Sequence, residues 1–363
     1  MVELLTVTEA AKKMHVSRQA IYGWIHSGKI QPVKAAGGTL RIPEDQLIAP
    51  MPQREEASRL DKFRIRDVSH FEQDSTEPVG TKEKFWYWED DSTQWLFKVG
   101  RPDTGDNWAE KVACELCGLL WVPHATYELA VWKDKRGVIT RSFIPGDKEY
   151  RLVHGNELLA VLEPGYEMTR RYKYAKHTLA LALEVVGRDD VEPPIGFRSF
   201  GEIHSAADVF VGYLMLDAWI ANQDRHHENW AILEAIDKRK YLAPSYDHAA
   251  CLGRNETDYN RQKRLATRDA GYSMSQYVER ARSAFYASPG DTKPMLTIDA
   301  FREAARGCLD AAHSWIQRMK EVSPSDTVAI LKRLPENEIS EIGIEFAQTI
   351  LELNRRRILS LEL

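Results

Sequence analysis

Asp224, Asn229 and Asp247 are an acid, an amide and an acid in the run ANQDRHHENWAILEAIDKRKYLAPSYDHAA. One carboxylate can accept or orient the proton of an attacking hydroxyl, while an amide oxygen and a second carboxylate suit a hard cation such as magnesium on a phosphate chain. Phosphoryl transfer from ATP needs that division of labour, so the trio points to a kinase. An Asp and an Asn five apart occur by chance about once in a chain of this length. The weight of the reading therefore rests on the elements around them.

Asn229 leads into the apolar run Trp230 to Leu233, then a polar turn from Glu234 to Lys240, then a second apolar run from Tyr241 to Tyr246 that ends at Asp247. Two apolar runs about a polar turn predict an antiparallel hairpin. Its first and last residues would lie side by side, within about 5 Å at the backbone. Asp224 closes a strongly apolar helix that Ser205 can cap, with Asp208 completing a capping box. The plain alternative is three polar residues at element boundaries.

In these residues the chain resembles the HipA-like serine/threonine kinases of bacterial toxin-antitoxin systems, distant relatives of lipid kinases. The resemblance is carried by DRHHEN (224–229), LAPSYDHA (242–249), HGNELLA (154–160) and FAQTILELNRRRI (346–358), and covers about residues 61 to 363. It implies an α+β, two-lobed protein-kinase-like fold, with Asp224 as catalytic base and Asn229 and Asp247 as magnesium ligands. Arg225 and His226 follow the Asp instead of preceding it, unlike the eukaryotic H-R-D order. Lipid kinases read the same way, so a lipid or small-molecule acceptor stays open.

An ATP site also needs a lysine at the phosphates. QWLFKV (94–99) reads as a strand that carries Lys98 among apolar neighbours, where a lysine is costly without an anionic partner. The next helix, Asn107 to Leu120, places Trp108, Val112, Leu116 and Leu119 on one face. Glu110, on roughly the opposite face, is the chosen partner of Lys98, with Glu115 as runner-up; Lys98 on an edge strand facing solvent is the alternative. EPVGTKEKFWYW (77–88) holds a single glycine, too little for a nest. The resemblance brings Gly80 and Lys82 to the phosphates, and a plain hairpin turn fits equally. Val138 to Phe143 reads as a strand whose end, with Ser142 and Ile144, could offer backbone groups to adenine. His226 is placed on the nucleotide side; because magnesium prefers oxygen, His226 and His227 are expected to shape the loop.

The N-terminus reads as a separate module. A short helix from Thr8, a turn at His15 and Val16, and a second helix capped by Ser17 and stopped at Gly28 make a helix-turn-helix. Val33 to Ile42, with Gly37-Gly38, reads as a wing. Residues 4 to 49 resemble the MerR/excisionase-type winged helix-turn-helix, in which Arg18, Gln19 and Tyr22 would face base edges and Lys34 and Arg41 the backbone or minor groove. Residues 1–50 hold six Lys or Arg against four Asp or Glu, leaving 43 against 50 for the rest. A mildly basic head on an acidic body suits local DNA binding. A small module that binds protein is the alternative.

The expected organisation is a winged helix-turn-helix domain at 1–50, a linker with prolines at 51–60, a kinase N-lobe at 61–150 and a mostly helical C-lobe at 151–363. No segment reads as a membrane span or signal peptide, which suits a cytoplasmic protein. Cys114 and Cys117 fall inside a helix and Cys251 and Cys308 are isolated, so buried free thiols are expected rather than zinc. Residues 248–277 hold five basic residues where an activation segment would lie. The resemblance implies ATP and magnesium as cofactors and a protein substrate, in the family often an aminoacyl-tRNA synthetase or another translation component. It also implies a DNA partner for the head and a separate antitoxin as a further partner. A nucleotide-sensing regulator without turnover is the competing function.

Overall fold

The computed structural model describes residues 4–13, 25, 31–34, 40–43, 61–76, 83–89, 93–145 and 149–363. The chain divides into two compact units, Met1–Leu60 and Asp61–Leu363. In the first, β1 (Leu4–Thr6) runs into α1 (Val7–Lys13), followed by β2 (Val33–Lys34) and β3 (Leu40–Pro43). Thr6 and Glu9 cap the helix reciprocally, each backbone amide donating to the other's side chain. The helix thus starts one residue before Thr8. Three antiparallel strands in the order β1-β3-β2 hold Ile42 fully buried. Arg18, Gln19 and Tyr22 of the expected second helix lie outside the described residues, as do Gly37 and Gly38.

The second unit is α+β, as its pattern requires. Its first layer is a sheet in the order β4-β8-β9-β7-β6-β5. The strands are β4 (Arg66–Asp67), β5 (Ser75–Thr76), β6 (Lys84–Trp88), β7 (Gln94–Val99), β8 (Tyr127–Trp132) and β9 (Lys135–Arg141). Alternation along β6 buries Phe85 and Tyr87 against Phe97 and Ile139. Between β7 and β8 the helix α2 (Asp106–Leu120) packs on β8 and β9. The apolar stripe read from the sequence is too narrow for this helix: Glu110 is buried as deeply as Val112.

A second sheet, in the order β10-β12-β13-β11, opens the helical half. It is built from β10 (Tyr150–His154), β11 (Val191–Glu192), β12 (Ala231–Ala235) and β13 (Lys240–Leu242). Helices α3 (Gly155–Leu162), α4 (Leu179–Val186) and α5 (Ala206–Ile220) come before β12, and α6 (Asp258–Ala266), α7 (Met274–Glu279), α8 (Thr297–Gly307), α9 (Leu309–Glu321), α10 (Pro324–Lys332) and α11 (Glu341–Leu359) follow. The centre is α5, apolar all round and packed by α8, α9 and α11. Ser205 and Asp208 form its capping box. Gly212 lets the buried Trp315 ring approach, since a Cβ there would lie 2.4 Å from it. Cys114, Cys117 and Cys251 are buried free thiols, whereas Cys308 is half-exposed. Among the described residues no helix is long and apolar enough to cross a membrane.

Candidate active site

The helix α5 stops at Ala221, whose left-handed backbone (φ 53°) turns the chain into the loop 222–230. Asp224 therefore stands in this loop and not on the helix end. The loop is held from beneath by Arg225, which is 1% exposed. Its guanidinium grips Asp217 of α5 through Nε and Nη2, donates to Ser245 Oγ (3.0 Å) and reaches the Asn229 carbonyl oxygen (3.3 Å). Asn222 donates to the same Asp217 carboxylate at 2.8 Å. This fork geometry is what arginine supplies and lysine does not. From the far side, the Gly155 and Asn156 amides donate to the carbonyls of Trp230 and His227. Arg225→Ala is expected to lower unfolding stability by about 3–5 kcal/mol, because Asp217 is left buried without its cation. A urea midpoint equal to wild type is the outcome against it.

The hairpin differs from its sequence expectation. Its ladder pairs Ile232 with Leu242, Leu233 with Tyr241 and Glu234 with Lys240, and the second strand ends at Leu242. Asn229 and Asp247 are therefore not a strand pair. Asp247 lies beyond the strand in a left-handed conformation (φ 58°), uncommon for any residue but tolerated by Asp. Its amide donates to the Tyr127 hydroxyl at 3.2 Å. The two residues converge through the walls of one cleft instead.

That cleft, a cavity of about 160 Å³, has two chemically distinct ends. Leu96, Phe143, Ile144, Leu152 and Tyr246 form an apolar end, with the Phe143 and Tyr246 rings stacked at 5.6 Å. This is the kind of slot a flat base fills. Ser142 and Ile144 line it on the link after β9, which ends at Arg141; the Ser142 amide donates to the Gln94 carbonyl oxygen (2.9 Å). At the other end stand Lys98, Asp224, His226, Asn229 and Asp247. Asn229 Nδ2 donates to the Asp224 carbonyl oxygen (2.6 Å), which commits one end of the amide and leaves its oxygen for other partners.

Lys98 is the charge centre of this end. Its ammonium lies 3.2 Å from Asp247 Oδ1, 3.9 Å from Glu110 Oε2 and 5.3 Å from the centre of the Tyr127 ring. Burial works to lower its pKa, but Asp247, Tyr127 and Glu110 together more than offset this and hold it well above the ordinary lysine value. Glu115 points elsewhere, to Lys111 (2.6 Å) and Arg333 (3.6 Å). Burial lowers the pKa of His226, and burial with His226 beside it brings His227 down to about 4. Gly80 and Lys82 lie outside the described residues. In the first unit, Arg41 on β3 is half-buried opposite Thr6, and Lys34 lies on β2.

Sequence reasoning missed Asp217, Arg225, Ser245 and His248. Ser245 Oγ and His248 Nε2 are 2.7 Å apart, and the His248 amide donates to Glu110 Oε1 at 2.6 Å. A continuous buried chain thus joins Asp217 under the loop to Glu110 on α2. One signal existed: Asp217 is the single charge in the apolar run VFVGYLMLDAWI. A lone carboxylate there demands a buried partner.

Residues 4–49 match the helix-turn-helix domain family. The serine/threonine-protein kinase CtkA of Helicobacter pylori is 24% identical over 257 residues, spanning 70% of this chain and 72% of its own. The crystal structure of the proinflammatory kinase CtkA superimposes with a TM-score of 0.62 at 20% identity, over 82% of this chain and all of that one. HipA of Shewanella oneidensis, from its complex with HipB and operator DNA, gives 0.51 at 11% identity, over 98% and 84%. The chain thus carries an N-terminal helix-turn-helix domain on a body that is homologous to the serine/threonine kinase CtkA and shares the kinase fold of CtkA and HipA.

Proposed function

We propose that the body is an ATP- and magnesium-dependent kinase that phosphorylates a serine or threonine hydroxyl on a protein. The observation that carries this is Lys98, buried between Glu110 and Asp247 at the polar end of a cleft whose other end is apolar. A buried ammonium held by two carboxylates at the wall of an open cleft suits phosphate oxygens. Asn229 and Asp247 have the hard oxygens to hold magnesium, which would neutralise charge on the transferred group when bound. The apolar end fits the base. Asp224, 29% exposed and lining the cleft, would accept the proton of the incoming hydroxyl.

The helix-turn-helix domain gives the second half of the proposal. HipA is known in a complex with HipB and operator DNA; here the DNA-binding part belongs to the kinase chain itself. On this reading the head tethers the kinase to its own promoter or restrains it in cis, in the role of an antitoxin. The resemblance to toxin kinases favours a translation component as substrate. The test is transfer of labelled γ-phosphate from ATP and magnesium to proteins of a cell lysate. Labelled bands with the full chain, stronger after deletion of residues 1–50, are the expected result. Nucleotide binding without transfer to any acceptor would instead support a sensing regulator.

A further inference from the structure

The segment that follows Asp247 grips α2 at two points one helical turn apart. At the first, Asp106, the opening residue of the helix and 2% exposed, is paired with the Arg254 guanidinium, itself 11% exposed. Arg101 approaches the same carboxylate at 4.0 Å. The backbone repeats the tie, since the Gly105 amide donates to the Arg254 carbonyl oxygen at 2.9 Å. At the second point, the His248 amide donates to Glu110 Oε1, while Oε2 of the same carboxylate faces Lys98. Residues four apart on a helix share a face, so Asp106 and Glu110 present a two-toothed edge to residues 248–254.

The far end of α2 is also held. Arg318 of α9 donates through Nε and Nη2 to the Leu119 carbonyl oxygen at 2.9 and 2.6 Å, with its guanidinium 3.9 Å from the centre of the Trp121 ring. Arg333 reaches Glu115 at 3.6 Å. With its last turn held, a shift of Glu110 requires the first turn to give, and that turn is tied by the Asp106–Arg254 pair and the Gly105–Arg254 backbone bond.

We infer that Arg254 and Asp106 are positioning residues for the proposed phosphoryl transfer: their ion pair fixes the first turn of α2 and thereby holds Glu110 against Lys98. The segment after Asp247 thus engages the helix through the Arg254 guanidinium on the helix's own Asp106 carboxylate. This rests on the kinase reading, but its test need not. Full-length wild type, Asp106→Asn, Arg254→Met and Arg254→Lys are compared with Ile350→Val, a small core deletion in α11 that serves as a stability control. Amide hydrogen exchange over residues 106–112, the thermal midpoint, and kcat and KM for ATP are measured. The first two variants are expected to exchange these amides at least about tenfold faster. Their kcat should fall about tenfold to a hundredfold, with the KM for ATP within about threefold. Arg254→Lys, which keeps the charge but not the fork, should fall between them and wild type, and remains informative if a neutralised variant fails to fold. Unchanged exchange, or the same loss of kcat in the control, would overturn the inference. A wild type that transfers no phosphate would refute the kinase reading alone, because exchange still decides whether the pair pins the helix.

Discussion

Asp224→Ala is expected to reduce phosphoryl transfer by about 10²–10⁴-fold, the range for loss of a positioned general base, while leaving the fold and nucleotide affinity close to wild type. The reason lies in where the carboxylate stands. Asp224 is 29% exposed, and His226 Nε2, on an imidazole whose pKa burial lowers, lies 4.0 Å from its Oδ1. Its share in holding the loop includes main-chain bonds: its carbonyl oxygen accepts from Asn229 Nδ2 and the His226 amide, and its amide donates to Asn222 Oδ1. Alanine keeps all three. Single-turnover transfer, with a nucleotide titration on the same preparation, separates the two effects. A variant that transfers phosphate within tenfold of wild type would remove Asp224 from the chemistry.

Lys98→Met should behave differently, losing activity and stability together. The lost ammonium removes a charge aimed at the phosphates, an effect of about 10²–10³-fold by analogy with a single electrostatic donor in an active site. It also leaves Glu110, 1% exposed, without the cation at 3.9 Å. Breaking a buried pair by removing one partner costs about 3–5 kcal/mol; Asp247, about a third exposed, can rehydrate and adds little. The urea midpoint should therefore fall for Lys98→Met and hold for Asp224→Ala. Equal midpoints for the two variants would mean that the Lys98 contacts are not what stabilises this end of the cleft.

The sequence was informative where periodicity or composition decides structure. The strand 94–99 and the capped helix from Ser205 are local outcomes of pattern and capping. The bounds of the hairpin were not, because the apolar run 241–246 does not stop where the ladder stops: beyond the strand Ala243 is buried and Tyr246 partly buried by packing. Likewise the face of α2 that carries Glu110 reads as polar, yet it is buried by residues 248–254, more than a hundred positions away. Arg225 was visible only as a departure from the H-R-D order. Its bond to Asp217 depends on the left-handed turn at Ala221, which no side-chain pattern announces.

The left-handed backbone at Asp247 decides which substitutions can be interpreted there. At φ 58° a β-carbon crowds the following carbonyl, at about 1–2 kcal/mol for an ordinary residue, and Asp and Asn bear it best. An alanine at this position would confound a lost carboxylate with a relaxed chain, which would drag the His248 amide off Glu110. Glycine would free the same stretch. Asparagine alone keeps the shape and discards the charge, so a silenced version of this protein for trapping partners is best made as Asp247→Asn.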